Sequence, residues 1–199
     1  MSFLPSLPDQ SHLIMHVWKT HTKGLKELLA YIDVVMRGPS ELSIAERELI
    51  SAYVSTLNHC GFCYNAHAAA AEGYGATKEM TDACGQSELP PVDDRLHPVF
   101  VYAAKLTREP HSVTQDDVDA ILAQGFSEET VHDIASVVGL FNHMTRIVSG
   151  LGVSPNKEQF DDMRAKAREV PIEDRLAKGQ SQQGRPEYVG FLQMLGLAA

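Results

Sequence analysis

Cys60 and Cys63 are separated by two residues, and His67 follows four residues after the second cysteine. At the start of a helix, two thiols at that spacing can close a small disulfide ring. The free amides and the dipole of a helix N-terminus also favour thiolate over thiol, and the thiolate is the nucleophile. Residues four apart on a helix share a face, so His67 stands one turn from Cys63, where it can take a proton and return it to a leaving group. Nearness to His67 makes Cys63 the candidate for attack. Cys60, closer to the helix start, is the alternative and a candidate for the lower pKa. Glu48 lies twelve residues before Cys60; on spacing alone it reads as a solvated carboxylate beside Glu46 and Arg47.

The same pair admits other chemistry. A CxxC can be half of a zinc site, which His59 and His67 would have to complete, since there is no second CxxC. A c-type haem needs histidine directly after the second cysteine, and Tyr64 stands there. Two packed core thiols are the plain structural alternative. Three cysteines in all, an odd and low count, argue against a secreted disulfide framework. In a reducing compartment a close pair is more often catalytic or metal-binding than structural.

The elements that must position these groups read as helices. Leu25, Leu28, Leu29, Ile32, Val35 and Met36 recur at helical spacing and stop at Gly38-Pro39. Ser43 and Glu46 form a capping box ahead of a helix from about Ile44. After a break at Asn58-His59-Cys60-Gly61, an alanine-rich helix runs to Gly73. Thr77 opens a short helix, and Asp93 or Asp94 caps one through Leu106. Thr114 with Asp117 opens another that Gly125 closes. Ser127 caps a long helix with Glu128 and Glu129 in its first turn, and Ser154-Pro155 starts the next. No segment alternates as a strand does, and no repeat is present. This predicts one all-α helical domain over 1–175 with its redox core about 42–75, followed by 176–199. In that last segment Lys178–Arg185 reads as a flexible loop, and Tyr188 to Leu195 as an apolar tail that must dock on the body or on a neighbouring subunit.

The composition narrows the partners. The 199 residues carry 26 acidic and 17 basic side chains, for a net charge of −9, and the basic residues form no dense patch. Such a surface repels phosphate backbones, so nucleic acid is not expected as a partner. No apolar run approaches the ~20 residues that span a bilayer. The first residues lack a basic segment followed by an apolar one, so no secretory signal is read. Together these predict a cytoplasmic protein without membrane attachment, and no cofactor or metal is expected.

The stretch from Leu42 to His67 resembles the core of the alkylhydroperoxidase D family, within the carboxymuconolactone decarboxylase-like superfamily. That family's motif is a glutamate twelve residues before a CxxC and a histidine four residues after it; Glu48, Cys60, Cys63 and His67 match it residue by residue. Phe141-Asn-His-Met-Thr-Arg-Ile147 and Leu151-Gly152-Val153 extend the likeness toward the peroxidase-related branch. The resemblance implies an all-helical fold in a helix-packed homo-oligomer and cysteine-dependent reduction of hydroperoxides. It implies recycling of a Cys60–Cys63 disulfide by an external dithiol, such as a lipoylated protein, and a Glu48 that orients or charges His67. The best-known members carry a histidine inside the CxxC, where this chain has Phe62, which removes one proton-relay group. The decarboxylase members lack the cysteine pair, so that activity is not expected. The alternative on the same residues is a disulfide reductase, or a redox adaptor or sensor, without peroxidase activity.

The remaining candidates carry less. His12, His16 and His21 lie on one expected helix and read as a solvated face. Cys84 reads as a lone thiol outside the chemistry, and Tyr53, Phe62 and Tyr64 as core aromatics. His143 and Arg146 suit a pocket or a subunit contact.

Overall fold

The computed structural model describes residues 2–8 and 13–197, and among these there are eleven α-helices and no strand. In chain order they are α1 (Ile14–Thr20), α2 (Leu25–Arg37), α3 (Ile44–Leu57), α4 (Gly61–Gly73), α5 (Lys78–Gly85) and α6 (His97–Arg108). There follow α7 (Gln115–Leu122), α8 (Glu128–Gly150), α9 (Lys157–Glu169), α10 (Ile172–Gln182) and α11 (Gly190–Met194). The capping box at Ser43 and Glu46 is present, and Thr77 and Ser127 accept the N3 amides of α5 and α8.

Helix α3 is buried on almost every side, from Ile44 to Ser55, which is the pattern of a central helix rather than a surface one. It packs against α4 most extensively, and also against α2, α5, α6 and α8. The alanines of α4 leave it thin, so α3 and α9 both approach it closely. A central helix that also carries Arg47 and Glu48 must supply partners for both charges. Arg47 donates to the carbonyls of Val35 and Gly38, at 3.1 and 2.9 Å, and so closes the C-terminus of α2. Burial and the neighbouring Arg37 bring its pKa down to about 10.

A second buried charge fixes α9. Glu72, at the end of α4, is fully buried; one carboxylate oxygen accepts from Arg164 and Thr81, both at 2.7 Å, and the other from Arg168 at 2.9 Å. Fully partnered, this network holds α9 and α5 to α4.

Several expected boundaries move. α9 begins at Lys157 rather than at Ser154-Pro155, because the Asn156 side chain accepts the Gln159 amide as N-cap. Asp93 caps a turn at Leu96, and the helix proper starts at His97. The expected loop over Lys178–Arg185 is largely helical: α10 runs through Gln182, and the turn falls at Gln183-Gly184, where Gly184 takes φ +79°. The 175/176 boundary therefore lies inside a helix. The tail beyond it docks on the body of its own chain. The buried Asp33 carboxylate accepts the backbone N–H groups of Glu187, Tyr188 and Val189 at 2.6, 2.7 and 2.8 Å. Phe191 packs against Trp18 and Tyr188.

Candidate active site

The turn between α3 and α4 sets the cysteines at a helix N-terminus. The His59 amide donates to the Thr56 carbonyl at 2.8 Å, and the Cys60 amide to the Ser55 carbonyl at 2.9 Å. This pair of bonds closes α3 in a Schellman turn, with His59 in the left-handed region at φ 56°. Cys60 then becomes the N-cap of α4, and its Sγ accepts the Cys63 amide at 3.5 Å. The two sulfurs lie 2.9 Å apart as free thiols, each only 3% exposed.

The contact between the two sulfurs makes the pair unequal. When Cys60 ionises, the Cys63 thiol donates to it, and this contact, against the opposing effect of burial, lowers the Cys60 pKa to about 6; the Cys63 amide, Ser149 and His67 help. The same contact and burial push Cys63 well above the ordinary thiol range. The lower pKa therefore belongs to Cys60, the N-cap, while the pair titrates as a unit.

Glu48 is fully buried and not a solvated carboxylate. One of its oxygens lies 2.6 Å from His67 Nδ1, and the other 2.7 Å from an Arg37 nitrogen, an ion pair whose angle departs from hydrogen-bond geometry. Burial alone would raise the pKa of Glu48; Arg37 and His67 outweigh it and hold the carboxyl at about 2. A carboxylate without a proton must accept from Nδ1, which leaves the other ring nitrogen, Nε2, as the acceptor in neutral imidazole. The edge of the His67 ring meets Phe141, with centroids 4.3 Å apart, which fixes its plane.

Cys63 and His67 line a cavity of about 660 Å³ walled by α1, α2, α4, α8, α9, α10 and the tail. Cys60 is absent from its lining and sits in an apolar cluster with Leu7, Val148, Val153 and Phe160. Phe62 is core, edge-on to Phe160, and also lines the cavity.

Sequence reasoning missed Arg37, Glu187 and Tyr188. Arg37 Nε donates to Glu187 at 2.5 Å, and Arg37 Nη2 to the Tyr188 hydroxyl at 3.4 Å. A signal existed: Leu29, Asp33 and Arg37 form one i, i+4 row on the buried face of α2, and charges on such a row need partners. The weaker candidates stay outside the site. His143 and Arg146 are exposed on α8, and Cys84 is buried with its thiol pushed up to about 12. His59 is exposed at its turn. His16 is half-buried, with no partner for Nδ1 among the described residues, rather than on a solvated face, and His12 lies outside the described residues.

Residues 18–90 match the carboxymuconolactone decarboxylase family. Among solved structures, the chain is similar to an uncharacterized peroxidase-related protein from Silicibacter sp. (29% identity over 73% of this chain and 76% of that one, TM-score 0.67). It is also similar to an alkylhydroperoxidase AhpD core from Ralstonia eutropha, an uncharacterized peroxidase-related protein (27% identity over 72% and 76%, TM-score 0.68). A protein of unknown function from Agrobacterium tumefaciens shares the fold (20% identity over 70% and 94%, TM-score 0.62). No curated protein matches significantly. The family match over residues 18–90 and the likeness to peroxidase-related and AhpD-like structures support an AhpD-like protein of the carboxymuconolactone decarboxylase superfamily.

Proposed function

We propose that the chain is a thiol-dependent hydroperoxide reductase in which Cys63 attacks, Cys60 resolves and His67 moves the proton. The observation that carries this reading is the placement of Cys63 and His67 on one cavity wall, with Cys60 2.9 Å behind Cys63. The acidity of Cys60 favours it as the resting thiolate, but access favours Cys63, and a nucleophile must first be reached. The Cys63 proton passes to His67 Nε2. The Cys63 thiolate then takes the outer oxygen of ROOH and becomes a sulfenic acid, while the leaving RO⁻ takes that proton from His67 and departs as ROH. The Cys60 thiol condenses with the sulfenic acid, releasing water and leaving the Cys60–Cys63 disulfide. An external dithiol, of which a lipoylated protein is the proposed form, reduces it by exchange. Glu48 and Arg37 act through His67 as positioning residues.

The second reading is a disulfide reductase or a redox adaptor or sensor, favoured by Phe62 in place of an imidazole inside the CxxC. The two separate in one preparation. Purified protein with dithiothreitol should consume an organic hydroperoxide, and Cys60→Ser and Cys63→Ser should each abolish turnover. Insulin reduction without peroxide consumption would favour the second reading. A cytoplasmic setting, where dithiol donors are kept reduced, suits either activity.

A further inference from the structure

The cavity in front of Cys63 is larger than a small peroxide needs and apolar over most of its wall. A volume of about 660 Å³ is that of a site for a drug-sized molecule. Ile14, Trp18, Met144 and Phe191 give it hydrocarbon and aromatic sides, which gain by exchanging water for an alkyl chain.

Its charged residues are not balanced. Arg37 is occupied by Glu48 and Glu187, and Lys166 by Asp162 at 2.7 Å. Arg175 and Lys178, three apart and so on one side of α10, form no ion pair within 4.0 Å among the described residues, although Asp174 stands one turn before Lys178. Arg175 donates to the carbonyls of Glu72, Ala76 and Val170 at 2.6, 3.4 and 3.1 Å. The Lys178 ammonium stands 4.8 Å from the centre of the Tyr74 ring. Against them the cavity wall sets one further acid, the exposed Asp174. In a chain with nine more acidic than basic residues, two cations without a carboxylate beside an apolar cavity are an unsatisfied anion preference.

We propose that this cavity binds a long-chain carboxylic acid, and that hydroperoxides of such acids are the substrate class. The hydrocarbon lies among the apolar walls, the peroxide meets Cys63, and the carboxylate meets Lys178 and Arg175. The proposal rests on the peroxidase reading for its chemistry: the protein dithiol gives two hydrogens, the hydroperoxide becomes the hydroxy acid, and one water and one disulfide form.

The test compares linoleic acid hydroperoxide, its methyl ester and tert-butyl hydroperoxide, each with dithiothreitol as donor. The acid should show a KM about tenfold below that of the ester. Lys178→Glu should erase most of that preference, and Asp174→Asn should increase it. Lys178 is exposed and holds no carboxylate, so its substitution does not threaten the fold, whereas Arg175→Gln serves only as a second variant. A readout without turnover uses laurate and methyl laurate: laurate should protect Cys63 from iodoacetamide in the reduced protein, and methyl laurate should do so at least several-fold less. Equal KM values and equal protection for acid and ester, unmoved by Lys178→Glu, would overturn the proposal while leaving a peroxidase in place. Protection by laurate without turnover of any of the three would support the cavity's ligand class and overturn the peroxidase reading beneath it.

Discussion

Arg37 and Glu48 form an ion pair at 2.7 Å with side chains 3% and 0% exposed. Neither charge could sit there alone. The pair is affordable because Glu48 also accepts from His67, and Arg37 also reaches Glu187 and Tyr188. The imidazole is thereby held by a carboxylate whose own orientation is fixed from the far side.

Removing either partner should therefore cost both stability and proton transfer. Arg37→Met should destabilise the fold by about 3–5 kcal/mol, since it leaves a buried carboxylate without its cation. Arg37→Met combined with Glu48→Gln should cost less than the sum of the single changes, which urea unfolding of all four proteins would measure. His67→Ala should lower hydroperoxide turnover ~10²–10⁴-fold, and Glu48→Gln should lower it less. A double variant little worse than His67→Ala alone would mark the two as one unit.

The sign of the pH effect follows from Glu48. Its carboxyl is held at about 2 against an ordinary 4.5, so the unfolded chain binds the proton more readily. Its stabilisation is complete above pH 4.5 and is lost as pH falls toward 2. The stability gap between wild type and Glu48→Gln, measured by urea unfolding, should shrink across that range. A constant gap would mean that the ion pair is not what holds the carboxyl ionised.

The Cys60 thiolate owes its pKa of about 6 first to the Cys63 thiol. Thiolate absorbance near 240 nm should titrate with a midpoint near 6 in the reduced wild type. In Cys63→Ala the midpoint should rise by at least one unit, toward the ordinary thiol value. A midpoint unmoved in Cys63→Ala would assign the effect to the helix N-terminus and Ser149 instead.

Asp33→Ala should free the tail, because one carboxylate holds three consecutive amides. Native-state chymotrypsin should then cut at Tyr188 or Phe191 faster than in wild type, while the core stays resistant. Cutting at equal rates would show that the apolar contacts of Phe191 are enough to hold it.

The tail's docking on its own chain removes one reason for expecting an oligomer but leaves another. Tyr31 and Val34 on α2 are 48% and 69% exposed, and Tyr31 borders a shallow groove between α2 and α8. Light scattering should return a mass above 21.9 kDa, and Val34→Lys should lower it. A wild-type mass of 21.9 kDa at micromolar concentration would refute the homo-oligomer.

What was legible in the sequence was local. The capping box at Ser43, the Ala-rich helix between Gly61 and Gly73 and the CxxC at its start all follow from neighbouring residues. The Cys63–His67 register is one helical turn, and helical periodicity alone supplies it. Glu48 was legible only through the family motif, because nothing in a twelve-residue spacing brings a carboxylate to an imidazole. Arg37 and Glu187 lie 150 residues apart and meet through packing that no local pattern encodes. The polar run 178–185 misled for a related reason: α10 is held by what it packs on, as where Gly179 lies against Tyr74, not by the propensity of its own residues.

The grip of Asp33 on the amides of Glu187, Tyr188 and Val189 has a use beyond holding the tail. Amides so bonded exchange with deuterium when the bond opens, so their exchange counts how often the tail lifts. Glu187, Tyr188 and Phe191 also form part of the wall of the cavity that Cys63 lines, so a lift of the tail opens that wall. Exchange at residues 187–189 should thus report opening of that wall, readable without modifying either cysteine.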